Sequence, residues 1–360
     1  MNKAYSSNNL ITAVRFPLIV LVLFQHSVAN DLSPMRWALD GANIYHFITE
    51  LISHHLCSIA VPCFFFFSGY LFYNHLTANT FNVAWVKRKW ERRVRTLVIP
   101  YVLWNLLNVI AVVLITLLFQ KLHISVTSNQ ILVVEKGPLF WFVKGPINFP
   151  LWYLRDLIVL SLLAPFLYYP IQKVPNLFLA FLFILYFASA QMVFYPSLAF
   201  FGVGCWFAIT QKNIWTFCQQ KKCIAYLLTF VFSTMATVFW GRQPVQAYLW
   251  LVFAPFGMIT FFNVCNSLMT KTRIAKYSLK LSETVFFIYA AHEIYILGWT
   301  KGFLLRLAGE GLFGHWICYF VAPLLTLLLC MALFYLLKKM TPKLLSFFCG
   351  GRINSAPDTR

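Results

Sequence analysis

Apolar segments alternate with short polar segments along almost the whole chain. Ten of the apolar segments are long enough, or nearly so, to cross a hydrocarbon core of ~30 Å as helices. The pattern predicts an all-α, polytopic integral membrane protein, with one transmembrane domain over 1–345 and a short tail over 346–360. The ten predicted transmembrane helices cover 13–30, 56–74, 97–119, 150–169, 177–194, 196–210, 223–240, 245–267, 281–299 and 316–337.

The positions of the basic residues orient these helices. With the N-terminus in the cytoplasm, the inside segments hold 21 Lys and Arg and the outside loops hold 7. Because Lys and Arg concentrate in cytoplasmic loops, both the N- and C-termini are predicted to be cytoplasmic. The two largest outside loops are then 31–55 and 120–149, and the first carries acidic and histidine side chains able to contact an extracytoplasmic substrate.

Composition supports the membrane assignment and excludes other classes. The chain is 60% hydrophobic and 11% charged, whereas soluble domains carry about a quarter charged residues. The net charge of +19 lies in short loops, so it does not indicate a nucleic-acid partner, which would meet one basic face. Six of the nine cysteines lie in apolar segments, and no CxxC pair or His–Cys cluster has metal-ligand spacing. We predict no metal site.

The first apolar segment contains two ionisable residues, Arg15 and His26, eleven residues apart. On a helix this spacing places both side chains on one face, separated by roughly 16 Å of rise. Ionisable residues inside a membrane usually mark a functional path. Neutral imidazole is well suited to accept a hydroxyl proton near pH 7. The alternative is that His26 is a buried, hydrogen-bonded histidine without a catalytic role.

A basic run, KRKWERRVR over 87–95, precedes the third predicted helix. Orientation or contact with anionic lipid accounts for much of this run. Arg93 and Arg95 differ because they stand directly at the start of an apolar helix, where guanidinium groups form a good phosphate site. They are the candidate ligands of a soluble donor that bears several phosphates.

Two aromatic segments offer candidate substrate contacts. Ser68 and Tyr70 bring hydroxyl groups to either side of a glycine within an aromatic run, which favours a structural or substrate-lining role. Trp152 and Tyr153 are equally well explained as an interfacial anchor or as a sugar-stacking element at the outer mouth.

The ninth predicted helix carries the ionisable residues Glu283, His292 and Glu293. Glu283 and His292 are nine residues apart, which places them on opposite sides of a helix at ~100° per residue. They are therefore not expected to pair. An approach of His292 to the first helix is a hypothesis that the sequence leaves open.

In this order the motifs resemble the membrane-bound acyltransferase 3 family. The resemblance rests on Arg15-x10-His26, FFFFSGYLF at 64–72, the Arg93-Val-Arg95 pair, LWYLRD at 151–156 and FFIYAAHE at 286–293. The sequence departs from the family in the text around the first arginine, TAVRFPL, where Pro17 replaces a small residue. The soluble domain fused to some members has no counterpart, so the chain is expected to act alone or to pass the acyl group to a separate protein.

This resemblance implies an O-acyltransferase of the bacterial inner membrane. The donor would be cytoplasmic acyl-CoA, with acetyl-CoA expected, and the acceptor a hydroxyl of an extracytoplasmic glycan or lipid-linked sugar. His26 would be the catalytic base, Arg15 would help to hold the donor, and Arg93 with Arg95 would meet its phosphates. The remaining candidates, Ser68, Tyr70, Trp152, Tyr153, His292 and Glu293, would line the substrate site.

The competing hypothesis is a transporter or flippase of a polysaccharide or lipid precursor. Intramembrane Arg, His and Glu would then form a substrate or proton path. The lack of a detectable internal sequence repeat argues against it. A non-catalytic scaffold would leave the Arg15–His26 pair unexplained.

Overall fold

All regular secondary structure that the computed structural model describes is helical, which confirms the all-α prediction. The described residues are 7–28, 34–74, 76, 81–123, 134, 136–188, 194–270 and 272–353. The α-helices are α1 Ser7–Gln25, α2 Gly41–Glu50, α3 Ala60–Tyr73, α4 Val83–Arg93, α5 Ile99–Lys121, α6 Trp152–Lys173, α7 Pro175–Ala188, α8 Phe194–Ile209, α9 Ile214–Gln220, α10 Lys222–Val238, α11 Val245–Met269, α12 Thr272–Leu281, α13 Val285–Ala291, α14 Leu297–Ala308, α15 Leu312–Met340 and α16 Pro342–Phe348.

Five continuous helices are long and apolar enough to cross a membrane. They are Gly41–Tyr73, Val83–Lys121, Phe149–Lys173, Val245–Met269 and Leu312–Met340. The pair α9 and α10, bent by 72°, makes a sixth if it counts as one span, and three further apolar helices are shorter. The chain is therefore a multi-pass membrane protein, whereas the count of ten spans and the cytoplasmic position of both termini stay predictions.

Two predicted segments differ from the structure. Residues 41–55 form a helix rather than a loop, because the Asp40 carboxylate caps α2 by accepting a hydrogen bond from the Asn43 amide at 2.8 Å. A π turn at Leu51–His55 and a 3-10 turn at Leu56–Ile59 then join α2 to α3. The predicted span 281–299 is broken after α13, where Tyr295 has a left-handed φ of 63°. Residues 124–133 and 135 of the predicted loop 120–149 lie outside the described residues.

Helices α3 and α8 pack at very close range through two glycines. A Cβ atom on Gly69 would lie 2.0 Å from the Phe201 carbonyl oxygen, and one on Gly204 would lie 2.1 Å from the Phe66 carbonyl oxygen. Small residues permit this approach in membrane helices, where van der Waals contact drives association. The contact fixes the position of the Ser-Gly-Tyr segment in the bundle.

The C-terminal segment folds back onto the bundle. The Trp104 indole Nε1 donates to the carbonyl oxygen of Phe348, the last residue of α16, at 3.0 Å. Gly350 follows with a φ of 64° and lies against the backbone of Thr96. Residues 349–353 are therefore part of the packed structure, and residues 354–360 lie outside the described residues.

Candidate active site

A cavity of about 1050 Å³ lies among α1, α3, α4, α6, α12, α13 and the C-terminal segment. This volume is at the upper end of the range for small-molecule sites. Its polar lining combines predicted site residues with side chains from distant parts of the chain. These polar lining residues include Thr12, Arg15, Ser68, Lys89, Arg92, Arg93, Tyr153, Lys280, Glu283 and Arg352.

Four arginines line this cavity, and three of them, Arg15, Arg93 and Arg352, are partly buried, whereas Arg92 is exposed. Arg93 Nη2 donates to the Ser68 carbonyl oxygen at 3.3 Å, and its guanidinium lies 5.7 Å from the Phe72 ring centre. Arg352 Nη1 donates to the Cys349 carbonyl oxygen at 2.9 Å. Arg15 makes neither a hydrogen bond nor an ion pair with the described residues. All three side chains therefore retain N–H donors for a ligand.

No described carboxylate lies within 4 Å of these guanidinium groups. Glu283 lines the cavity, but its Oε2 is already paired with Lys338 Nζ at 2.6 Å. Burial, followed by repulsion from Arg15, lowers the pKa of Arg352 to about 10, so this side chain is still cationic at neutral pH. Uncompensated like charges are costly in a low-dielectric site. The cavity is therefore suited to an anion with several charges.

Only one of the two arginines predicted to bind phosphate reaches this cavity. Arg93 lines it, whereas Arg95 is exposed and does not. Residues two apart on a helix point to different faces, so both could not meet one ligand. Similarly, Tyr70 does not line this cavity with Ser68, and belongs to a second cavity of about 420 Å³.

Tyr153 and Tyr289 stand together on the wall of the large cavity. The Tyr153 hydroxyl is 3.3 Å from the Ser68 Oγ, and the two tyrosine rings are 5.9 Å apart. Tyr289 is held in place because its hydroxyl donates to the Pro150 carbonyl oxygen at 2.5 Å. Trp152 packs near Phe65, with ring centres 6.4 Å apart, and does not line the cavity.

A second group of site residues lies at the C-terminal end of α1, just after Gln25. The rings of His26 and His292 are 5.4 Å apart, which answers the question that the sequence left open. His26 Nδ1 is 3.7 Å from the Glu293 carboxylate. Lys301 Nζ donates to the His26 carbonyl oxygen at 2.6 Å. The break in the predicted ninth span, at Tyr295, lies between Glu293 and Lys301, and both contact His26.

The hydrogen bonds of His292 define its tautomer. Its Nδ1 lies 3.0 Å from the Ile288 carbonyl oxygen and 2.9 Å from that of Tyr289, so Nδ1 carries the proton. Nε2 then presents a lone pair, and it is buried without a hydrogen-bond partner among the described residues. Because Tyr289 and His292 are three residues apart, α13 links the cavity to the histidine pair.

The acidic and histidine residues of 41–55 form a cluster of their own. Glu50 is fully buried, and its carboxylate lies 2.5 Å from His54 Nδ1 and 3.7 Å from His46 Nε2. The Ser53 hydroxyl donates to the Phe24 carbonyl oxygen at 2.7 Å and ties this helix to α1 beside His26. Through Ser53, this cluster packs against the end of α1 that precedes His26.

Sequence reasoning missed Lys301 and Arg352. In the sequence, both contribute only to the count of basic residues that orients the helices, and neither lies in a segment that predicts a functional site. The signal for Arg352 was the Gly350-Gly351 pair before it, which predicts a sharp turn after a helix. Nothing comparable marks Lys301.

The fold and these two groups of residues define a polytopic membrane protein with an anion-binding cavity and a histidine pair. The family model described as an acyltransferase domain matches residues 8–335, so the chain belongs to the acyltransferase 3 family and is an acyltransferase. It is 25% identical over 358 residues to the succinoglycan biosynthesis protein ExoH of Rhizobium meliloti (strain 1021), over 95% of this chain and 92% of that protein. No solved structure matches the chain significantly.

Proposed function

We propose that the protein transfers an acyl group, expected to be acetyl, from cytoplasmic acyl-CoA to a hydroxyl of an extracytoplasmic glycan or lipid-linked sugar. The main observation that supports this proposal is the cavity in which Arg15, Arg93 and Arg352 have no carboxylate partner among the described residues. The relative named for succinoglycan biosynthesis supports a glycan acceptor. We place the protein in the bacterial inner membrane, where such an acceptor is within reach.

The cavity fits the chemistry of the donor. Coenzyme A carries all its phosphates at one end and its thioester at the other, joined by a long uncharged arm. The guanidinium groups bind the phosphates through charge-assisted hydrogen bonds. The arm then extends along Tyr153 and Tyr289 toward the histidine pair, and α1 spans ~16 Å of rise between Arg15 and His26.

His26 acts as the general base of the transfer. It takes the proton from the acceptor hydroxyl while that oxygen attacks the thioester carbonyl carbon. The carbon–sulfur bond breaks, and the imidazolium returns the proton to the departing thiolate, which gives an ester and a free thiol. Glu293 stabilises the imidazolium, and Lys301 holds the His26 backbone in place.

Hydrogen bonding near His26 favours direct transfer. The Ser27 hydroxyl donates to the Leu23 carbonyl oxygen at 2.8 Å. Among the described residues, no hydroxyl or thiol makes a hydrogen bond with the His26 ring. A covalent acyl-enzyme would need an activated nucleophile at this position.

Radiolabelled acetyl-CoA supplied to inside-out vesicles tests this function. We expect labelled glycan with the native protein and a loss of roughly a hundredfold or more with His26→Ala, because a general base contributes 10²–10⁴-fold. The matched control is His315→Ala, which removes an exposed histidine. Binding of CoA should be unchanged in both variants, because the phosphates bind at the other end of α1.

Two outcomes contradict the proposal. Unchanged acylation by the His26→Ala protein would show that His26 is not the general base. Glycan movement across the membrane without acylation, for acetyl-CoA and for donors with larger acyl groups, would instead support the transporter hypothesis.

A further inference from the structure

The chain turns sharply after α16 and returns to the mouth of the large cavity. Gly350 and Gly351 both have positive φ, 64° and 71°. At Gly350 a Cβ atom would lie 2.8 Å from the Thr96 Cα, so the segment sits directly on the backbone before α5. The turn places the side chain of Arg352 inside the cavity.

The surroundings of Arg352 do not explain its charge. Its guanidinium stacks on the Phe286 ring at 4.1 Å and donates one hydrogen bond, to the Cys349 carbonyl oxygen. Arg352 is partly buried, and an arginine with a structural role in such a position is normally paired with a carboxylate. Here the neighbours in the cavity are the cations Arg15 and Arg93, and no described carboxylate lies within 4 Å of Arg352.

We infer that Arg352 is a donor-binding residue, which contacts a phosphate of the coenzyme A moiety together with Arg15 and Arg93. The inference rests on the proposed function, because it takes the donor to be acyl-CoA. It adds a residue from a segment that follows residue 335, where the family match ends. The C-terminal segment thus contributes Arg352 to the donor site.

Calorimetric titration of the purified full-length protein tests the inference, with coenzyme A and adenosine 3′,5′-bisphosphate as probes. We expect Arg352→Gln to weaken both ligands by about tenfold or more, since a hydrogen bond to a charged group contributes about 1.5–3 kcal/mol. Arg352→Lys keeps the positive charge but lacks the planar guanidinium group, so the affinities for both ligands should fall less than in Arg352→Gln. Lys343→Gln removes an exposed charge from α16 and should leave both affinities within about twofold.

Thermal unfolding separates binding from a structural role. If Arg352 binds the donor, Arg352→Gln should leave the Tm of the ligand-free protein nearly unchanged but diminish the rise in Tm caused by coenzyme A. A purely structural arginine would lower the ligand-free Tm and leave the ligand-induced rise intact, which overturns the inference. If Arg352→Gln does not fold, the comparison of Arg352→Lys with the native protein decides by the same two readouts.

The failures of the two proposals are distinguishable. If the native protein does not bind coenzyme A, the proposed donor is wrong and this inference is wrong with it. If the native protein binds coenzyme A and both Arg352 variants bind it equally well, only the inference about Arg352 is overturned. Weakened binding of coenzyme A without weakened binding of the bisphosphate would support a contact with the second phosphate of the 5′-diphosphate, which the bisphosphate lacks.

Discussion

At the scale of single residues, the chemistry depends on how His26 is held. Its backbone carbonyl accepts a hydrogen bond from Lys301, and its ring lies near the ring of His292 and the carboxylate of Glu293. The carboxylate at 3.7 Å is beyond hydrogen-bond distance, but catalytic hydrogen bonds often tighten only when the substrate is bound. We therefore expect Glu293 to orient the ring and to balance the charge that develops on it.

Replacing Glu293 by glutamine tests this role. We expect kcat to fall about tenfold, which is ~1.4 kcal/mol of transition-state stabilisation, because the imidazolium loses its counter-charge. The affinity for coenzyme A should stay unchanged, since Glu293 does not line the donor cavity. Steady-state acylation rates and calorimetric titration measure the two quantities.

Glu310→Gln is the matched control, because it removes an exposed carboxylate from the loop after α14. It should leave kcat unchanged. Equal rates for the native and Glu293→Gln proteins would show that His26 does not need this carboxylate.

At the scale of elements, the contact between α3 and α8 positions one wall of the large cavity. Ser68 and Phe67 line the cavity from α3, and the glycine on α8 lets the two backbones touch. Because the atoms in contact are backbone carbonyls, an added methyl group cannot be accommodated by a change of side-chain rotamer. The helices would have to separate.

We expect Gly204→Ala to destabilise the protein by about 1–3 kcal/mol or more, the cost typical of overpacking. The control is Gly298→Ala, another helical glycine, whose added Cβ would have nothing within 4 Å. Thermal unfolding in detergent should show a lower Tm for Gly204→Ala only. A Tm for Gly204→Ala equal to that of the native protein would contradict the close contact.

Helical periodicity was enough to predict part of the site. The spacing of Arg15 and His26 placed them at two ends of one helix, and the structure puts a cationic cavity at one end and a histidine pair at the other. Periodicity along one segment could not predict contacts between segments. The approach of His292 to His26 and the return of Arg352 depend on a broken helix and a double-glycine turn, both of which are set by tertiary packing.

At the scale of the whole molecule, the two groups of site residues lie at different depths along α1, about 16 Å of rise apart. The cavity takes Thr12 and Arg15 from the first half of α1 and Arg352 from the C-terminal segment, whereas His26 directly follows the last residue of α1. The C-terminal end of α10 lies on the side of the histidine pair, because Trp240, two residues after α10, stacks on His54 with ring centres 4.9 Å apart. Cys223 lies at the other end of α10, which we expect to be the donor end, whereas the Met35 amide donates to the Trp240 carbonyl oxygen and places the residues before Asp40 at the expected acceptor end.

This polarity predicts which side of the membrane each end faces. Of the nine cysteines, Cys223 is exposed and the other eight are buried, so a membrane-impermeant maleimide should label the native protein at Cys223 alone. If the donor end is cytoplasmic, labelling occurs in inside-out vesicles and not in intact cells. Leu39→Cys combined with Cys223→Ser should show the reverse, because Leu39 is 98% exposed at the acceptor end. Labelling of Cys223 from outside the cell would reverse the orientation, and a cytoplasmic donor could then not reach the arginine cavity.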